Sequence, residues 1–170
     1  MKLKKVIILI AIICFALPVS AQEAENNEVI NISNELGMHA GFTTGIGLSF
    51  RHWSGKYGVQ ITAIPLKAND FQFVSAGLTG LYSLTNKKYT RFYLYLGNHL
   101  LINSTYYNTY TEQEETRTSY NVGFGTGFEV GRKVRFTVMA GYGGYNITDA
   151  QDYYLLPTIE TGLYFKLGQQ

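Results

Sequence analysis

Three histidines, a scatter of arginines and glutamates, and a run of spaced glycines are the residues of this 170-residue chain whose types could do chemistry. Hydrolysis requires a base oriented beside a nucleophile. His99 stands between Asn98 and Leu100, with Ser104 five residues on, and His39 is followed by Ala40 and Gly41. Neither forms a His-x-Ser arrangement, and His52 falls in a polar turn, so no catalytic residue is expected. The single cysteine, Cys14, lies in the amino-terminal apolar stretch, which leaves the rest of the chain without a disulfide or thiolate ligand. No metal-ligand spacing, P-loop or dinucleotide fingerprint occurs, and no cofactor or metal is expected. Gly123, Gly125 and Gly127 recur at every second position, which is strand packing and not a phosphate cradle.

The charged residues make sense only on the elements that carry them. Tyr120, Val122, Phe124, Thr126, Phe128 and Val130 alternate with Asn121, Gly123, Gly125, Gly127 and Glu129. After Gly131-Arg132-Lys133, the alternation resumes with Val134, Phe136, Val138, Ala140 and Tyr142 against Arg135, Thr137, Met139 and Gly141. Period two across a tight polar turn is an antiparallel β-hairpin. Each arm is about 10 residues long, the span of a tilted strand that crosses a bilayer. One face is apolar and the other is small or charged, the pattern of a transmembrane barrel with lipid outside and a polar lumen. On that reading Arg51, Arg91, Glu129, Arg135, Glu160 and Lys166 all face one interior, together with Gln60. They form a paired polar network in a barrel just wide enough for its own side chains.

Compartment follows from the first residues. Met1–Lys5 is basic, Val6–Leu17 is apolar but too short to span comfortably, and Pro18-Val19-Ser20-Ala21 offers a signal-peptidase site. Residues 1–21 are therefore expected to be a cleaved signal peptide. Cleavage removes three lysines and no acid, leaving 11 basic against 12 acidic residues, so the basic balance of the whole chain is no argument for nucleic acid. No later stretch approaches 18 consecutive apolar residues. A membrane-spanning exported chain of this kind must close into a barrel, where every backbone polar group is paired. The 14 tyrosines and 18 glycines suit aromatic belts at the two interfaces and a small-residue lumen face. Phe50, Trp53, Tyr57, Tyr82 and Tyr89 are expected in one belt, and Tyr120, Tyr142, Tyr145, Tyr153 and Tyr154 in the other.

The expected architecture is all-β: an eight-stranded antiparallel up-and-down transmembrane β-barrel over residues 29–167, after a flexible lead at 22–28 and before a tail at 168–170. Strands are expected near 29–38, 43–51, 57–66, 71–83, 90–102, 120–130, 134–142 and 155–167. The first turn is placed at His39-Ala40-Gly41. Alternation runs unbroken through 36–50, so one long strand, and seven in all, is the alternative. Chain ends on the same side favour eight. Short turns at 52–56, 85–89 and 131–133 oppose longer connections at 103–118 and 144–153, as between periplasmic and outer sides. The 103–118 loop, with Tyr106, Tyr107 and Tyr110, is the candidate contact surface for an extracellular ligand.

The carboxyl-terminal stretch Glu160-Thr161-Gly162-Leu163-Tyr164-Phe165-Lys166-Leu167 resembles the insertion signal of bacterial outer-membrane barrels. Glu160, Gly162, Phe165 and Leu167 occupy its polar, glycine and two hydrophobic places, although Gly168-Gln169-Gln170 follows where that pattern usually ends. More broadly, residues 29–167 resemble the small OmpA-like outer-membrane β-barrel domains of Bacteroidota. The resemblance implies insertion by the barrel assembly machinery into the outer membrane of a Gram-negative bacterium, with outer-membrane lipids as surroundings, and many such barrels have no known activity. A structural role, or binding and adhesion through outer loops, is the reading taken forward. The alternatives are a small pore, an outer-leaflet lipid-modifying enzyme using histidine with serine or a carboxylate, and a soluble periplasmic barrel holding a lipid inside.

Overall fold

The computed structural model describes residues 32–68, 71–107, 113–148 and 153–168. The expected signal peptide and lead lie outside them, as do residues 169–170. Eight strands close into one antiparallel barrel in chain order: β1 (Ile32–Gly41), β2 (Gly45–Ser54), β3 (Tyr57–Ala68), β4 (Phe71–Asn86), β5 (Thr90–Tyr107), β6 (Gln113–Gly131), β7 (Val134–Tyr145) and β8 (Tyr154–Leu167). β1 closes on β8 from Asn34↔Leu167 to Ala40↔Thr161, so the sheet is a closed barrel, with β6 Gln113–Asn121 extending beyond its β7 ladder.

Period-two patterning sets the facing. Leu36, Leu48, Ile61, Leu78, Leu96, Phe124, Phe136 and Ile159, one from each strand, are exposed on the outer wall. The alternate positions carry the buried side chains, which are mostly polar or aromatic. This inverts a soluble core: the apolar layer is the exterior, and the interior is held by hydrogen bonds, ion pairs and stacked rings.

Three expectations about the chain path need correction. The first turn is Phe42-Thr43-Thr44, not 39–41, and His39 is a lumen residue of β1. Gly41 pairs with Gly45 across that turn, and a four-residue step preserves parity, so the sequence alternates without a break although the chain reverses. The 103–118 segment is not a loop. β5 and β6 remain paired out to Tyr107↔Gln113, and their connection is 108–112. The residues there are almost all polar or Tyr, so the strand loses apolar alternation without losing its ladder. Trp53, expected in a turn and belt, is an inward residue of β2 and is buried. Its ring fits because Gly58 stands opposite, where a Cβ would come within 2.7 Å of the indole.

The first turn has the further peculiarity of folding into the barrel. Thr43 and Thr44 are fully buried. Gly77, Gly97, Gly123 and Gly143, on four different strands, are the berths they occupy; a Cβ at Gly97 would stand 2.7 Å from the Thr44 methyl and one at Gly143 2.5 Å from the Thr43 methyl. The chain leaves the turn through Gly45 at φ +100°, a backbone region L side chains rarely adopt.

Candidate functional site

Two polar clusters occupy the lumen at different heights. The lower one lies toward the short turns and combines three arginines with two glutamates from five strands. Arg51 Nη1 donates to Glu129 Oε2 at 2.7 Å, and Arg51 Nε donates to Gln60 Oε1 at 2.9 Å. Arg91 Nη1 reaches Glu35 Oε1 and Glu129 Oε1, both at 3.3 Å. Arg135 Nη1 donates to the same Glu129 oxygen, and Arg135 Nε lies 3.8 Å from Glu35 Oε1. Rings complete the packing. The Arg51 guanidinium stacks 3.8 Å from the centre of the Tyr164 ring, and that of Arg91 lies 4.1 Å from the Trp53 ring. Tyr93 donates or accepts at Thr137 Oγ1 at 2.6 Å and meets Trp53 edge-on at 5.7 Å between centroids. Buried charges of this kind persist only when paired and hydrogen-bonded, and Glu129, which touches all three arginines, is the hub.

The upper cluster is built on Glu160 and the inward turn. Thr43 N and Thr43 Oγ1 both donate to Glu160 Oε1, at 2.8 and 2.6 Å, and Thr44 Oγ1 donates to Oε2. Thr158 Oγ1 adds a bond at 3.1 Å, and His39 Nε2 lies 2.6 Å from Thr44 Oγ1 and 3.6 Å from Glu160 Oε2. The carbonyl of Phe42 accepts from Asn121 Nδ2 and from His99 Nδ1, each at 2.9 Å. The turn is thereby bonded to β5, β6 and β8 and closes the lumen above the arginines.

Of the expected network, Arg51, Arg91, Glu129 and Arg135 come together, while Glu160 belongs to the upper cluster. Lys166 stands half-buried at the short-turn mouth, where it lines a cavity and makes no ion pair among the described residues. Sequence reasoning missed Glu35, although its parity opposite Leu36 and Met38 marked it as inward. It pairs across the ladder with Arg51 on one side and Lys166 on the other. Of the insertion-signal residues, Gly162 faces the lumen with Glu160, and Phe165 and Leu167 are exposed outside. Tyr110 lies outside the described residues. Tyr106 and Tyr107 are placed on the last rungs of β5, beyond the residues whose side chains are described.

His99 does have a serine partner, but it is Ser75 and not Ser104. Ser75 Oγ and His99 Nε2 are 2.8 Å apart. Ladder partner Gly77 has no side chain, so the imidazole reaches diagonally to the neighbouring inward position. Ser75 Oγ also accepts from Ile46 N at 2.9 Å, and both side chains are fully enclosed. The pair links β4 to β5 and is closed off from solvent. Among the described residues no group of three or more His, Cys, Asp or Glu side chains is arranged to hold a metal ion.

The architecture defines a class: a closed, eight-stranded, up-and-down barrel with an apolar exterior and an ion-paired, internally stoppered lumen. No protein-family model matches the chain, and no curated protein matches it. Among solved structures it is similar to the N-terminal β-barrel domain of Pseudomonas aeruginosa OprF, at 14% identity and a TM-score of 0.47, covering 79% of this chain and 96% of that one. Neisserial surface protein A is likewise similar, at 14% identity and a TM-score of 0.47, over 80% of this chain and 94% of that one. Ail, the attachment invasion locus protein of Yersinia pestis, solved with the heparin analogue sucrose octasulfate, is similar at 16% identity and a TM-score of 0.42, over 80% and 95%.

Proposed function

We propose that this chain is an outer-membrane protein of a Gram-negative bacterium that binds at the cell surface through its β5–β6 hairpin and performs no catalysis. The observation that carries the membrane assignment is the continuous outer wall of exposed Leu, Ile, Val and Phe on all eight strands around a charged interior. Lipid is the solvent such a wall requires, and closure on β8 leaves no backbone group unpaired in it. A soluble barrel holding a lipid would carry the opposite facing.

The surface-binding assignment rests on strand length. β1 and β2 have 10 residues each, while β5 and β6 have 18 and 19. A tilted strand crosses a bilayer in about 9–11 residues. The tall hairpin therefore continues well past the outer interface as a paired, rigid platform, with Thr116, Arg117 and Thr118 exposed on it. The inward turn and the ion pairs fill the lumen, which argues against a pore. The enclosed Ser75–His99 pair argues against a lipid hydrolase. Outer-membrane lipids and, during insertion, the barrel assembly machinery are the partners this reading requires.

Electrophoresis of the outer-membrane fraction with and without boiling tests the assignment. A closed, inserted barrel migrates differently before and after boiling. Recovery in the soluble periplasmic fraction, with no mobility difference, would reverse it.

A further inference from the structure

The short-turn mouth of the barrel holds a cavity of about 340 Å³, lined by Ser33, Asn86, Lys87, Lys88, Arg91, Arg132, Arg135 and Lys166. Six of the eight are cations and none is an acid. The volume falls in the range of ~300–1,000 Å³ typical of small-ligand sites. We infer that this vestibule is a binding site for a phosphate-bearing anion.

Its cations are of two kinds. Arg91 and Arg135 form the floor, almost completely buried and held in place by Glu129 and Glu35. Lys87, Lys88, Arg132 and Lys166 form the rim, and none of them makes an ion pair with a described residue. Counting Arg51 beneath the floor, seven cations face, among the described residues, only Glu35 and Glu129, so the described mouth carries a local excess of positive charge that a bound anion would neutralise.

A second observation separates a built site from a merely charged rim. Ser33, a cavity-lining residue, is 5% exposed, and its hydroxyl has no hydrogen-bond partner. The Nε–H of Arg135, another lining residue, is likewise buried without an acceptor. Buried donors are rarely left unpaired. Arg135 Nε has Glu35 Oε1 3.8 Å away, whereas the Ser33 hydroxyl, on the wall of a cationic cavity, has no partner and is placed as an acceptor-rich tetrahedral oxygen would use it. Arginine forks and lysine ammonium groups are the standard partners of phosphate. The lining holds no carboxylate, and its two neutral polar residues, Ser33 and Asn86, are outnumbered by six cations, which disfavours a cationic ligand.

The phosphate can come from a lipid headgroup in the adjoining leaflet or from a soluble phosphorylated molecule on that side, and one titration with two settings separates them. The full-length mature protein, refolded in uncharged detergent, is titrated calorimetrically with inorganic pyrophosphate at low ionic strength. Saturable binding is expected, weakened at least about tenfold in the triple variant Lys87→Gln/Arg132→Gln/Lys166→Gln, whose positions lie outside the interior ion pairs. Ser33→Ala, which leaves the charge unchanged, is expected to weaken binding by about threefold. The boiled/unboiled mobility difference verifies that each variant is folded. Repeating the titration in phosphatidylcholine vesicles with and without phosphatidylglycerol then identifies the source. Competition by the anionic lipid assigns the site to a headgroup, and its absence assigns it to a soluble phosphate. No saturable binding, or affinity unchanged in the triple variant, would overturn the proposal. Loss in the triple variant with Ser33→Ala fully unaffected would reduce the site to a diffuse field and overturn it as well. None of these outcomes depends on what the β5–β6 hairpin binds.

Discussion

Two hairpins of this barrel begin from the same wall and end in opposite places. β1–β2 stops after 10 residues per strand, and its turn bends into the lumen. β5–β6 continues 10 residues past the Gly97↔Gly123 rung on each strand, roughly 30 Å of further ladder. The turns of both are polar, so polarity does not decide the direction. What differs is where the backbone finds partners. The Phe42–Thr44 turn is too short to pair with itself, and the opposite wall offers a carboxylate at Glu160, an amide at Asn121, an imidazole at His99 and four glycine berths. The β5–β6 arms satisfy each other rung by rung, with Ser104 and Thr116 adding a side-chain bond at 2.8 Å, and need nothing from the interior. An outer connection goes inward when its own ladder ends early and the lumen opposite is both acceptor-rich and hollow.

The sharpest way to break the comparison is at the point where the hairpins share a foundation. Arg51 of β2 and Arg91 of β5 both close on Glu129 of β6. Glu129→Ala leaves three arginines with Glu35 as their only interior carboxylate, and removal of one partner from a buried ion pair costs about 3–5 kcal/mol. Urea unfolding in micelles, followed by Trp53, measures it. Trp53 is the only tryptophan in the sequence and lies against Arg91, so its emission reports this cluster directly. A loss under 1 kcal/mol would mean that solvent enters the lumen and that the cluster is not a foundation for either hairpin.

A smaller and more local effect is expected at Glu160. Glu160→Ala removes the acceptor of Thr43 N, Thr43 Oγ1 and Thr44 Oγ1. With hydrogen bonds to a charged group each worth about 1.5–3 kcal/mol, and with partial rescue by water, a net loss of about 2–3 kcal/mol is expected. The loss should be confined to the short hairpin. In hydrogen exchange, protection of the Thr43 amide should collapse while the Thr105↔Glu115 to Tyr107↔Gln113 rungs keep theirs. Equal loss in both would show that the tall hairpin leans on the inward turn.

The contrast between the hairpins also marks where sequence stopped being informative. Facing was legible along nearly every strand, because lipid outside and polar packing inside impose period two, while the count of eight over seven came from placing both chain ends on one side. The strand ends were not legible. Residues 103–107 and 113–118 look like loop because their residues are almost all polar or Tyr and carry no apolar period two, although their ladder persists. The first reversal was hidden because Gly41 and Gly45 sit on the same parity. Arg51, Arg91, Glu129 and Arg135 were legible as interior residues, but that they meet while Glu160 does not is a matter of height along the barrel, which inter-strand register fixes. With the first turn placed three residues early, the Glu35↔Arg51 rung was invisible. Ser75–His99 is a diagonal contact over a glycine, a pairing that no spacing within one strand announces.

The smallest effect has no energy in it and concerns only whether the tall hairpin or the opposite mouth of the barrel faces outward. Cys14 is the only cysteine and belongs to the expected signal peptide, so single cysteines in the mature chain can be read without background. Thr118→Cys places a thiol on exposed β6, on the rung of Ile102 toward the tall end of the hairpin. Lys88→Cys places one on the exposed β4–β5 turn at the opposite mouth. Neither position makes a hydrogen bond or ion pair among the described residues, so stability should change by no more than about 0.5 kcal/mol. In intact cells a membrane-impermeant maleimide should label Thr118→Cys fully and Lys88→Cys only after the envelope is opened. The reverse pattern would put the tall hairpin in the periplasm and the phosphate vestibule at the cell surface. The barrel would stand unchanged, but the surface-binding role would pass from the projecting ladder to the cationic mouth.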